Sequence, residues 1–463
     1  MDYIGPWDFI LIPIFSILAY FVAKRIQFRK EPQNSAYAYY VKGLMAKIVG
    51  GLSLGAVYIF YYGGGDTLNY WVDAGTLRNL MFVDFSCYLD ILFGDTSMLN
   101  FFCFDSTTGS PMSIFLRDSK SYAVTRFTSI PHLLSIDSFF GCTILVAIFS
   151  YMGTWRLYLM FTNEYPGLKK ELAFAILFIP SVLFWGSGIL KDTYTFSAAC
   201  WLTYSFYNIS LRRHKVGINL VMVAVNSLIL ISVKPYIFLG LMPGCLALLF
   251  FQRMQRIESM LVRLLSFPVF FMIATVIGGV VVSRSAESLG SYGSVDSLLV
   301  KAVATQQDLK RDAYEGNSFD IGDFDPSLTG ILSKAPAAIF AGLFRPTLLD
   351  ARNVVMLMSA IENTAIMLLF LYLVFRVGPI GFFREVFTQP LVMFCFSFAV
   401  FFSFSVGLTT SNFGSLVRYK IPAMPFFVAG LFILRYRWQL AKGEIEEVSE
   451  NDQTEEGAVI ITT

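Results

Sequence analysis

The charged side chains best placed for chemistry in this sequence stand at the ends of apolar runs. Asp66 follows three glycines in Gly63-Gly64-Gly65-Asp66-Thr67-Leu68-Asn69-Tyr70. Lys191 and Asp192 come just after Trp185-Gly186-Ser187-Gly188, and Lys234 turns a tight corner in Val233-Lys234-Pro235-Tyr236. Arg345 lies in Leu343-Phe344-Arg345-Pro346, and Arg418 and Lys420 flank Tyr419 ahead of Ile421-Pro422. Cations drawn to one place from several chain segments suit a phosphate or diphosphate: Arg offers a planar fork, Lys a movable point charge. A carboxylate beside them can take the proton of an attacking hydroxyl, and the glycines before Asp66 let backbone and ligand approach closely. Plainer roles compete residue by residue. Interfacial Lys and Arg snorkel to headgroups, Asp66 suits the N-cap of a helix starting near Thr67, and Lys191 and Asp192 can pair with each other. Tyr70, Trp71, Tyr236 and Tyr419 fit an aromatic belt. Convergence of the whole set on one face favours the ligand reading.

The elements holding these residues follow from composition. The 463 residues carry 35 Lys+Arg against 33 Asp+Glu, a formal charge of +2; only 15% are charged, while 56% are apolar, including 47 Phe. Mean hydropathy is +0.61. One soluble core of this length cannot hide so much apolar surface. Disorder, a disulfide scaffold and a nucleic-acid binder are excluded for the chain as a whole. An all-α, polytopic membrane protein is expected, with one transmembrane domain over 1–436 and a tail over 437–463.

About 20 mostly apolar residues cross a bilayer, which predicts about eleven spans: 7–23, 43–62, 137–154, 171–186, 193–210, 216–233, 236–251, 263–283, 354–375, 388–407 and 421–435. The fourth is short and ends in the Gly-rich stretch, the pattern of a broken or re-entrant segment. The first run, Phe9 to Ala23, has no basic residues before it and Lys24, Arg25, Arg29 and Lys30 after it. That is the wrong polarity for a cleavable signal and puts the amino end outside. Every inner turn of this arrangement is basic, as the positive-inside rule requires: Arg156, Lys169 and Lys170; Arg212, Arg213 and Lys215; Arg253 and Arg256; Arg376 and Arg384; Arg435, Arg437 and Lys442. The acidic tail is then a solvated cytoplasmic end. Asp66, Lys191, Lys234, Arg345, Arg418 and Lys420 all fall on the outer side, where topology gives no reason for basic residues. Two outer segments, 63–136 and 284–353, exceed simple turns, and short helices at the membrane surface are expected in the first.

Other chemistry is limited. His132 and His214 fall on opposite sides of the membrane, so no His-rich metal site forms, and no Walker loop, nucleotide fingerprint or metal-spaced Cys pair occurs. Cys142, Cys200, Cys245 and Cys395 read as small apolar fillers within spans. Cys87 and Cys103 share the first outer segment, where a disulfide is possible. Glu362, about two turns inside the ninth span, is either a hydrogen-bonded link between helices or a proton or ion relay. Asn226 reads as helix-to-helix glue.

Asp66 followed four residues later by Tyr70 resembles the first-loop motif of GT-C superfamily glycosyltransferases. The run Arg418-Tyr419-Lys420-Ile421-Pro422-Ala423-Met424-Pro425-Phe426 resembles the R-Y-x-x-P-x-x-P-F segment near the last spans of many bacterial members. Pro180-Ser181-Val182-Leu183-Phe184-Trp185-Gly186-Ser187-Gly188 with Lys191-Asp192 is similar to a mid-chain segment in some of them. Their order and sidedness agree across most of the membrane region. The resemblance implies an enzyme using a polyprenyl-phosphate-linked sugar on the outer face of the cytoplasmic membrane, with Asp66 as catalytic carboxylate and Arg418 and Lys191 facing the lipid phosphate. The chain departs from the common pattern in an extra amino-terminal span and in Thr67, where many members have a second acid; a divalent metal cofactor therefore lacks its usual ligand.

The expected function is transfer of a sugar from polyprenyl phosphate to a hydroxyl of a glycan, lipid or protein. Asp66 is the expected base, and Lys191, Asp192, Lys234, Arg345, Arg418, Tyr419, Lys420 and Tyr70 line the phosphate site. An O-antigen-type polymerase or ligase, holding a lipid diphosphate with arginines alone, is one alternative. A transporter or flippase for a charged lipid or solute is another, and would place the weight on Glu362.

Overall fold

The computed structural model describes residues 3–93, 102–112, 118–254, 262, 303–306, 319–322, 325, 327–352 and 354–445. The expected span 263–283, half of the outer segment 284–353 and the tail beyond 445 lie outside the described residues. Within them the chain is all-helical. Its helices are α1 (Pro6–Lys30), α2 (Tyr40–Ala56), α3 (Asp66–Val83), α4 (Phe85–Phe93), α5 (Ser119–Leu134), α6 (Phe139–Glu164), α7 (Lys169–Leu177), α8 (Pro180–Trp185) and α9 (Lys191–Tyr207). There follow α10 (Val216–Val233), α11 (Pro235–Met254), α12 (Leu328–Ser333), α13 (Ala335–Phe344), α14 (Val354–Val377), α15 (Pro379–Thr388), α16 (Pro390–Thr409), α17 (Phe413–Tyr419) and α18 (Met424–Ala441).

Six stretches among the described residues are long and apolar enough to cross a membrane: Pro6–Lys30, Ser35–Tyr61, Phe139–Glu164, Val216–Val233, Met356–Val377 and Pro390–Thr409. α17 and α18 make a seventh if this pair, bent by 65°, is counted as one. The chain is thus a multi-pass membrane protein, and the differences from the expected eleven spans have local causes. The stretch 171–186 is two helices, α7 and α8, parted at Phe178-Ile179. Pro180 has no N–H to continue a helix and drives the residue before it out of the helical region, and Ile179 is extended, φ −61° and ψ 121°. The stretch 193–210 becomes α9, only 17 residues long and carrying buried Thr193, Thr195, Thr203 and Ser205. Its hydroxyls lower its hydropathy, and two of them bond back to the preceding turn, Thr195 to the Lys191 carbonyl and Thr203 to the Ala199 carbonyl.

α6 packs on α2 and α9, and α16 packs on α11, α13 and α18. One continuous apolar core runs through these helices. α8 sits against α2 because Gly50 and Gly51 offer no Cβ: one built there would strike the Leu183 and Ser187 carbonyls. Small residues let helices in an apolar solvent approach this closely. The first outer segment packs into a second core, with Leu68, Tyr70, Leu77 and Leu80 of α3, Tyr88 and Ile91 of α4 and Tyr122 and Val124 of α5 set against Phe139, Cys142 and Val146 of α6. Cys87 and Cys103 are disulfide-bonded at its edge, their Cα atoms 6.3 Å apart. Ile114–Leu116, an apolar stretch of this segment, lie outside the described residues.

Candidate functional site

The backbone before Asp66 is built to deliver one side chain. A π-type turn, Val57–Tyr61, closes the second membrane stretch. Gly63 and Gly65 then take φ values of +65° and +123°, a region that suits glycine; a Cβ on Gly65 would meet the Tyr58 ring at 2.8 Å. Gly65 is the N-cap of α3 and Asp66 its first residue, with no side-chain capping bond. The Asp66 carboxylate instead accepts a hydrogen bond from Arg418 Nη1 at 3.0 Å. Its place in the first turn of α3 also favours a negative charge.

Arg418 ends α17 and reaches two carboxylates. Its Nε donates to Asp192 Oδ2 at 2.7 Å, and its guanidinium lies 5.8 Å from the Trp185 ring centre. Asp192, in the first turn of α9, is fully buried, and its second oxygen accepts from Lys234 Nζ. Lys234 stands at the corner between α10 and α11, with its ammonium 5.0 Å over the Tyr419 ring. The result is an alternating chain, Asp66–Arg418–Asp192–Lys234, drawn from four elements distant in sequence. Tyr58 lies within the field of Arg418, Asp66 and Asp192. Tyr70 is buried against Ser121, and burial, reinforced by the Asp66 charge, pushes its phenol up.

Lys191 does not pair with its neighbour Asp192. It turns to Asp118, the N-cap of α5, at 3.2 Å, and stands within the field of Lys234 and Asp66. Burial acts to raise the Asp118 carboxyl, but the Ser121 hydroxyl and the Lys191 ammonium together hold it below the usual range.

Arg345 and Lys420 form a separate group. Arg345 makes a two-pronged pair with Asp350, at 2.5 and 3.2 Å, between the rings of Phe319 and Phe413 at 4.9 and 5.0 Å. Lys420 is fully buried, and its ammonium donates to the Leu343 carbonyl at 3.2 Å, the Arg345 carbonyl at 3.0 Å and Asn363 Oδ1 at 2.6 Å. All three donors of Lys420 are used inside the protein, so its post is structural. Neither residue hydrogen-bonds to the chain around Arg418, although they were expected in one phosphate site with it.

The broken helix beside the chain is held at both ends. Glu362 on α14 accepts from the Ser181 N–H at 2.9 Å and the Ser181 hydroxyl at 2.5 Å, while buried Lys47 on α2 donates to the Gly186 carbonyl at 2.6 Å. Asn226 bonds only back to its own helix, to the Met222 carbonyl at 2.7 Å, and not across to another. Lys47, Asp118, Tyr58 and Asp350 escaped the sequence reading, and Trp185 entered it only as part of the Gly-rich motif. Lys47 alone carried a usable signal, as a cation inside an apolar run.

The donor set does not suit a resident metal. Asp66 and Asp192 each face a cation already, and no cluster of three or more His, Cys, Asp or Glu side chains suited to a metal occurs among the described residues. Comparison with protein-family models, curated proteins and solved structures finds no match for this chain.

Proposed function

We propose that the chain is a membrane glycosyltransferase of GT-C type, using a polyprenyl-phosphate-linked sugar at the extracytoplasmic face. The reading rests on one observation: an open carboxylate, Asp66, stands beside Arg418 at the mouth of a charged chain fed by separate helix ends. In the reaction a hydroxyl oxygen of the acceptor glycan, lipid or protein attacks the anomeric carbon. The bond from that carbon to the phosphate oxygen breaks, and polyprenyl phosphate leaves with the electron pair. Asp66 takes the hydroxyl proton, while Arg418, and Lys191 beyond it, offset the charge gathering on the phosphate. Trp185, which is half-buried, gives the sugar and the first isoprene units an apolar wall. We include in this proposal the eleven-span arrangement, in which the broken pair α7–α8 and the short α9 also cross, with the amino end outside, the acidic tail in the cytoplasm, and the inner membrane as the site.

The test is a transfer assay on the full chain in lipid nanodiscs, with a panel of polyprenyl-phosphate sugars and release of polyprenyl phosphate as readout. Asp66→Asn is expected to abolish transfer and Arg418→Met to lower it at least about a hundredfold, the scale of losing one preorganised charge contact. Full activity in Asp66→Asn would instead point to a polymerase or ligase that works with arginines alone. Flux of a charged lipid without transfer, lost in Glu362→Gln, would make the protein a transporter.

A further inference from the structure

We propose that Asp66 occupies the anion subsite of the resting protein, and that a donor phosphate binds by displacing its carboxylate from Arg418. This deepens the reading above and rests on it. The charges of the chain cancel, two carboxylates against two cations, and Lys191 is matched by Asp118. No net positive charge waits for a phosphate, so one can bind here only by exchange. Asp192 cannot yield: its side chain is 0% exposed, and each of its oxygens is held by a different cation. Lys234 is sealed with it. The Asp66 side chain is 45% exposed and meets Arg418 through a single bond at 3.0 Å. The outer edge of the Arg418 guanidinium is therefore the one seat in the chain that a phosphate can take over.

The rest of the geometry suits an exchange. Asp192 holds Arg418 by Nε and Trp185 lies beneath its plane, so the guanidinium stays in position when Asp66 leaves. Displacement from Arg418 leaves the Asp66 carboxylate free, beside the bound donor, to accept the proton of the attacking hydroxyl.

The experiment measures binding without transfer. Full-chain protein in nanodiscs is titrated calorimetrically with farnesyl phosphate, and separately with inorganic phosphate, for the wild type, Asp66→Asn, Asp66→Ala and Arg418→Met; thermal unfolding checks that each variant is folded. Both Asp66 variants are expected to bind each probe about fivefold more tightly than wild type, the scale of removing one partly exposed competing charge, and Arg418→Met to bind neither. Equal or weaker binding by folded Asp66 variants overturns the exchange while leaving the transferase reading intact. A gain confined to farnesyl phosphate also counts against it, because the effect would then lie in the hydrocarbon. Absence of binding to either probe in every protein sinks both.

Discussion

Arg418 joins Asp66 to Asp192 through two different nitrogens, Nη1 at 3.0 Å and Nε at 2.7 Å, although these partners lie 352 and 226 positions away in sequence. Asp192 is the hub: with Lys234 on its other oxygen, it binds the starts of α9 and α11 to the end of α17. Removing one partner of a buried ion pair strands the others without compensation, which costs about 3–5 kcal/mol. Asp192→Asn is therefore expected to lower stability by about that amount, read as a fall in the thermal midpoint in nanodiscs. Asp192→Leu combined with Lys234→Met is expected to lose less than the sum of the two single changes, since the pair vanishes together. Additive losses would show that the two charges do not act as a unit.

Lys47 and Glu362 hold the two ends of α8, whose last residue, Trp185, lies under Arg418. Lys47→Met leaves the Gly186 carbonyl without its donor inside the bundle, a loss of about 1–3 kcal/mol. The same change is expected to shift the tryptophan emission and lower transfer. Glu362→Gln keeps a carbonyl oxygen able to accept from the Ser181 N–H, so less than about 1 kcal/mol and little activity are expected to be lost. A proton relay predicts the reverse, with Gln at 362 as damaging as any change in the chain. Parallel transfer and unfolding measurements on the two variants separate these roles.

The meeting of Asp66, Arg418 and Lys234 was legible because each stands at the end of an apolar run and the positive-inside reading of the sequence expects all three on one side. Their pairing was not, since nothing in the spacing of Lys191 and Asp192 says that adjacent residues at a helix start point apart, one to Asp118 and one to Lys234. Arg418 and Lys420 were read as one set, yet residues two apart on a helical turn face nearly opposite ways, and the fold sends one to Asp192 and the other to Asn363. The break at Pro180 was visible in the sequence as a short span with a Gly-rich end. The hydroxyl-rich α9 reads as a crossing through its aromatic residues, while its threonines lower its hydropathy. Lys47 was passed over because a single cation in an apolar run leaves hydropathy almost unchanged.

Asp73, on α3 outside the membrane-spanning stretches, gives a pH dependence of definite sign. It is fully buried; Met112 donates to its Oδ1 at 3.0 Å, while its Oδ2 has no donor among the described residues. Burial pushes this carboxyl up to about 7, with the Met112 bond acting the other way. A folded-state pKa above the unfolded one means that the folded protein binds the proton more tightly. Stability from this group is complete below about pH 4 and is lost as pH rises through about 7. Asp73→Asn holds the group neutral, so its unfolding midpoint is expected to decline less than that of wild type between pH 4 and 8. Parallel curves for the two proteins would contradict the assignment.

Two glycines set the contact between α13 and α16, which leads directly into α17, the helix carrying Arg418. A Cβ at Gly342 would overlap the Ser403 carbonyl, and one at Gly407 the Ala338 carbonyl. Backbone cannot swing aside as a side-chain tip can, so even one methyl group forces the helices apart, at about 1–3 kcal/mol or more. Gly217 near the start of α10 is the natural control, because a Cβ there meets nothing within 4 Å. Alanine at this exposed helical position is expected to raise stability by up to about 1 kcal/mol through helix propensity alone. The same substitution should thus carry opposite signs at 407 and 217. Asn412 caps α17 through the Gly414 and Ser415 N–H groups just beyond α16, so displacement of α16 in Gly407→Ala should also reach Arg418. A weakened response to the farnesyl phosphate probe in that variant, and an unchanged one in Gly217→Ala, is the outcome that ties this helix contact to the anion site.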